Sequence, residues 1–146
     1  MGLFDNLFGS KSAKEFHKTD AFAGILLGAS ACDGHAADEE IQALFTITGR
    51  MKMFEGFTSN KWNSMMDNLL KVLKKEGPLK LVERCSNVLP EELRATAFAN
   101  AADIILADGV VEDEEKEFLD HVQKLLEIDG DTALTIVEVM IIKNKG

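Results

Sequence analysis

The chain has no tyrosine, one tryptophan, two prolines and two cysteines in 146 residues. No stretch alternates apolar and polar residues for long, so there is little from which to build strands. Pro78 and Pro90 are the only residues that must interrupt a helix, and most of the chain is free of such breaks. Cys32 and Cys85 lie far apart and form no CxxC pair. That argues against a disulfide framework and suits a reducing cytoplasm. Basic residues are scarce: 16 Lys and Arg stand against 25 Asp and Glu, a net charge of −9. Phosphate contacts need Lys and Arg, so no nucleic-acid partner is expected. The longest apolar run, Ala21 to Cys32, falls short of the roughly 20 residues that cross a bilayer. Asp5 interrupts any secretory signal, and Asn6 stands where a myristoylation signal wants Ser or Thr. Neither GxxxxGK[ST] nor GxGxxG is present, so no phosphate-cradling loop is expected.

What is present is ordinary globular material: 46% apolar and 28% charged residues, enough for a core of several helices in one domain. Residues 1–13 read as a separate amphipathic segment or tail, with Leu3, Phe4, Leu7 and Phe8 on one helical face and a break at Gly9-Ser10-Lys11-Ser12. It is either a short helix docked on the body or a foot that touches a membrane or a partner; so short a segment would bind a membrane only weakly. Residues 14–146 read as an all-α domain.

The apolar spacing predicts helices from Lys14 or Asp20 to Cys32, Ala37 to Met53, Lys61 to Glu76, and Pro78 to near Asn87. Three more follow, from Leu89-Pro90 to Ala107, from Glu112 to Leu126, and from an Asp131 cap to Lys143. The small residues of the fifth, Ala95 to Ala102, predict close approach by neighbours.

One pattern occurs twice. Ala31-Cys32-Asp33-Gly34-His35-Ala36-Ala37-Asp38-Glu39-Glu40 matches Leu106-Ala107-Asp108-Gly109-Val110-Val111-Glu112-Asp113-Glu114-Glu115 at a shift of 75 residues. Leu44 then falls on Leu119, Ile47 on Val122 and Met51 on Leu126. An apolar helix precedes each copy and an amphipathic helix follows it. Each glycine suits the left-handed position after a helix.

The aspartates are out of place by local electrostatics. Asp33 and Asp108 stand where helix-end carbonyls and the dipole are already negative. Glu40 and Glu115 follow seven residues later, in the first turn of the next helix. If the two units face each other, four carboxylates converge. Two of them about 5 Å apart repel by roughly 3 kcal/mol at an effective dielectric of 20. A cation relieves this, and carboxylates with free carbonyls make an all-oxygen set for Ca²⁺, Mg²⁺ or Mn²⁺. Two other readings stand beside it. Asp-Gly is a common turn in which Asp bonds the backbone two residues on, and Asp38, Glu39, Asp113 and Glu114 form an acidic surface fit for partner docking. Neither copy is an EF-hand, because Asp113 occupies the sixth loop position counted from Asp108.

The doubled Asp-Gly-x-x-x-x-x-Glu spacing, with small and apolar residues leading into it, resembles the TerB family of tellurite-resistance proteins, also called TerB-like or DjlA-type domains. The resemblance covers about Asp20 to Gly130. It implies a compact bundle of about seven helices with two pseudo-symmetric halves, and an acidic site with divalent cation binding at Asp33, Glu40, Asp108 and Glu115. It also implies a non-enzymatic role in bacterial tellurite resistance or stress response, with protein partners at the membrane. The halves are unequal: His35 answers to Val110, and Cys32 to Ala107.

Other chemistry has thinner support. Cys32 and His35 give two ligands of the four that zinc wants. A Cys-dependent reductase needs a base and an orienting group beside Cys32 that the sequence does not supply; Cys32 reads as a small core residue, His17 and His121 as surface. The expectation is therefore an all-helical cytoplasmic protein, or one peripheral at the inner membrane, that binds a divalent cation or docks a protein without one.

Overall fold

The computed structural model describes residues 16–32 and 38–146. Among the described residues the chain forms seven α-helices and no strand. They are α1 (Lys18–Ser30), α2 (Asp38–Gly49), α3 (Ser59–Glu76), α4 (Pro78–Ser86), α5 (Arg94–Leu106), α6 (Asp113–Leu125) and α7 (Gly130–Lys143). The expected 1–13 segment lies outside the described residues. No helix among the described residues is long and apolar enough to cross a membrane.

Helix α1 is the axis of the bundle. His17 N–H donates to the Asp20 carboxylate at 2.8 Å, which fixes its start. Every residue from Ala21 to Ala29 is buried. A helix apolar on all sides must be surrounded, and α1 packs against α2, α3, α4 and α5. Its glycines set how close α4 comes. A Cβ on Gly24 would stand 2.4 Å from Cys85 Sγ and 3.1 Å from Leu69 Cδ2. On Gly28 it would meet Val82 Cγ2 at 2.7 Å. Helix α5 supplies the opposite wall with buried Ala97, Ala101 and Ala102 beside Phe98 and Ile105, and α7 in turn lies on α5.

Local chemistry sets most boundaries. Thr58 Oγ1 accepts from Lys61 N at 3.1 Å and starts α3. Gly77 ends it, its N–H bonded to Leu73 O at 2.9 Å, and Pro78 opens α4. Three expectations are corrected. Helix α2 stops at Gly49 rather than Met53: Met51 is extended, and a 3₁₀ turn over Lys52–Phe54 buries Phe54 against Phe22, ring centroids 6.3 Å apart. Burying the Phe54 ring outweighs one more helical turn. Helix α5 begins at Arg94, after a 3₁₀ turn over Glu91–Leu93. The cap of α7 is Asp129, which accepts from Thr132 N at 3.3 Å, while Asp131 sits in the first turn.

The contact at Gly24 yields a test. In an open helix, Gly→Ala gains about 0.5–1 kcal/mol. Here the new methyl meets the Cys85 sulfur, and overpacking costs about 1–3 kcal/mol. Gly24→Ala should therefore lower the urea midpoint in the parent, and raise it, or leave it level, in a Cys85→Ala background. Equal destabilisation in both backgrounds would contradict this packing.

Candidate functional site

Six segments meet around one cleft of about 410 Å³. Ser30 and Cys32 come from the end of α1, Glu40 from the first turn of α2, and Asp103 from α5. Asp108 comes from the loop after α5, and Glu115 from the first turn of α6. Lys143 and Asn144 close it from the end of α7. The floor is apolar, with Ala29, Leu44, Ile47 and Ile104.

The α5–α6 loop shows how Asp108 is held. Gly109 has φ +77° and donates its N–H to Leu106 O at 3.1 Å, the left-handed turn that suits glycine after a helix. Asp108 Oδ1 accepts from Val110 N at 3.0 Å, an Asx turn. Glu115 Oε1 accepts from Glu112 N at 2.9 Å, and Glu115 N donates to the Glu112 carbonyl at 3.1 Å. The Glu115 carboxylate thus reaches back to the residue that opens the helix, as in half of a capping box. Each carboxylate is thus anchored through one oxygen and keeps the other. In Glu40, one carboxylate oxygen is fully shielded from solvent.

Three of the four acids expected to act together, Glu40, Asp108 and Glu115, line this cleft. The fourth, Asp33, lies outside the described residues, as does His35. Asp38, Glu39, Asp113 and Glu114 are exposed, and none of them lines the cleft. Asp113 pairs with Lys116 at 3.8 Å. Among the described residues, no three His, Cys, Asp or Glu side chains stand close enough together to form a ready-made metal cluster.

Sequence reasoning missed a built-in cation. Asp103 Oδ1 accepts from Lys143 Nζ at 3.1 Å and from Asn144 Nδ2 at 2.8 Å. This latch ties the end of α7 to the cleft. Lys143 is forty residues from Asp103, and no spacing rule links positions that far apart. The one available hint was that Asp103 is the single acidic residue of helix α5.

The cysteines differ from each other. Cys32 is half-buried: it packs against the edge of the core, as expected, and also lines the cleft. Cys85 is fully buried, and burial is the main reason its thiol is pushed up from 9.0 to about 12; Arg84 works against the shift. Comparisons with family models, curated proteins and solved structures give no match to this chain.

The Cys85 thiol generates a pH dependence. Its folded value is raised, so its contribution is fully present below pH 9. Above that, the unfolded chain releases the proton and the folded chain keeps it, so stability falls as pH rises from 9 towards 12. The slope due to this one group approaches about 1.4 kcal/mol per pH unit. Urea unfolding at pH 8 to 11 should fall more steeply in the parent than in Cys85→Ala. Parallel curves would contradict a buried, protonated Cys85.

Proposed function

We propose that this chain is a non-enzymatic TerB-like module of bacterial tellurite resistance or stress response that binds a divalent cation through its duplicated acids. The observation that carries the reading is that Glu40, Asp108 and Glu115, from both copies of the motif, line one cleft. The α1–α2 and α5–α6 helix pairs also keep the 75-residue register. Adding 75 to α1 and α2 gives 93–105 and 113–124, against 94–106 and 113–125 for α5 and α6.

The donors fit a hard cation. They are carboxylates, joined by carbonyls at two helix ends, an all-oxygen set suited to Ca²⁺, Mg²⁺ or Mn²⁺. Among the described residues, three such side chains do not already cluster. On this reading binding draws Glu40 towards Asp108 and Glu115, with Asp33 as the fourth donor. Ordering of that kind couples cation binding to stability.

A second reading keeps the fold and drops the metal. The outward carboxylates Asp38, Glu39, Asp113 and Glu114 are all exposed. That favours an adaptor that docks a protein partner, membrane-associated by the family resemblance, through charge.

Thermal unfolding after chelator treatment separates the two. With Ca²⁺, Mg²⁺ or Mn²⁺ at about a hundred times its dissociation constant, the cation reading requires about 2.7 kcal/mol, or several degrees at this size. Asp108→Asn should abolish the shift yet keep the fold, because the Asn carbonyl can still accept from Val110 N. Glu114→Gln should leave it intact. No shift with any of the three ions would remove the cation reading and leave the adaptor.

A further inference from the structure

The acidic cleft brings its own cation. Glu40, Asp103, Asp108 and Glu115 line it, and Lys143 supplies the single basic side chain among the described residues of its lining. Lys143 Nζ and Asn144 Nδ2 donate to the same oxygen, Asp103 Oδ1, at 3.1 and 2.8 Å. Asn144 Nδ2 also donates to Met140 O at 3.0 Å, which ties the Asp103 carboxylate to the last turn of α7. A helix end thus places an ammonium among four carboxylates.

Two features make that ammonium exchangeable. Its ion pair is open to water, with the Lys143 side chain 57% exposed and that of Asp103 24%. Pairs so exposed hold weakly. Helix α7 is also shallowly rooted: it packs on α5, and Ala133 is its one fully buried residue. Helix ends with few buried contacts open locally at small cost. A stronger cation in the cleft has little to overcome.

We propose that Lys143 is a built-in competitor for the cation site, and that a divalent ion entering the cleft loosens the Asp103 latch and with it the end of α7. The inference rests on the cation reading above. A divalent ion and an ammonium about 8 Å apart, roughly the span of such a cleft, repel enough in bulk water to cost about fivefold in affinity, and more at a lower effective dielectric. The coupling is reciprocal: the factor by which Lys143 weakens the ion is the factor by which the ion weakens the latch. Occupancy of the cleft is thereby passed to a helix end.

The probe is Mn²⁺ alone, its free fraction read from the electron spin resonance signal of the aqueous ion. Lys143→Met should bind Mn²⁺ at least about fivefold more tightly than the parent, with the thermal midpoint checked for folding. Lys143→Arg keeps the charge and should bind like the parent. So should Lys145→Met, which removes an exposed cation outside the cleft lining. Hydrogen exchange supplies the second readout. In the parent, Mn²⁺ should speed exchange of the amides from Met140 to Asn144 while slowing it around Glu40 and Glu115, and the acceleration should be smaller in Lys143→Met. Equal or weaker binding by Lys143→Met overturns the proposal and leaves the cation reading standing. Equal tightening by Lys145→Met would mean bulk charge alone and overturns it as well, as does slowed exchange at the end of α7. No Mn²⁺ binding by the parent removes the cation reading and this inference with it.

Discussion

The structure depends on the complete burial of α1. From Ala21 to Ala29 every side of that helix faces protein, so four other helices must be recruited to surround it. The glycines at 24 and 28 then decide the geometry. They let α4 come so close that a single methyl at Gly24 would run into the Cys85 sulfur. Cys85 is there as a small packing group, and its protonated state follows from that burial. Once α1, α4 and α5 are locked, the ends of α1 and α5 are fixed as well, and the loops that leave them carry the acidic motifs.

Much of this was legible in the sequence, because it was written in local patterns. An uninterrupted apolar segment announced a buried helix. Gly77-Pro78 marked a stop and a start, and Asp-Gly followed by three acids marked a loop and a first turn. The failures came where distant contacts overrode local preference. Phe54 leaves the α2 spiral because a buried place beside Phe22 is worth more than another helical turn. Phe45 continued the apolar spacing, yet it is 47% exposed, resting edge-on against Trp62 at 5.2 Å. The Asp129 cap was misassigned by two residues because two aspartates flank Gly130, and only the geometry separates them.

The cleft shows the same division. The motif spacing picked out Glu40, Asp108 and Glu115, and all three line one cleft. It missed the Lys143–Asp103–Asn144 latch, which joins positions forty residues apart. That latch gives the cleft a resident positive charge at one end, while the carboxylates stand along the rest. A cation entering beside Asp108 and Glu115 would meet Lys143 as a like charge, and Asp103 partly neutralises it. The outer acids Asp38, Glu39, Asp113 and Glu114 add to the negative potential without lining the cleft. They strengthen attraction of any cation, but they do not choose where it rests.

The central claim is that a divalent cation rests between the two acidic motifs. Mn²⁺ makes this directly visible, because its unpaired electrons broaden nearby amide signals in an NMR spectrum. The account requires that substoichiometric Mn²⁺ erase the amides around Glu40, Asp108 and Glu115 first, and that Asp108→Asn prevent it. Broadening that starts instead at Asp113 and Glu114, or at Asp129 and Asp131, or that spreads evenly over the exposed acids, would contradict the claim.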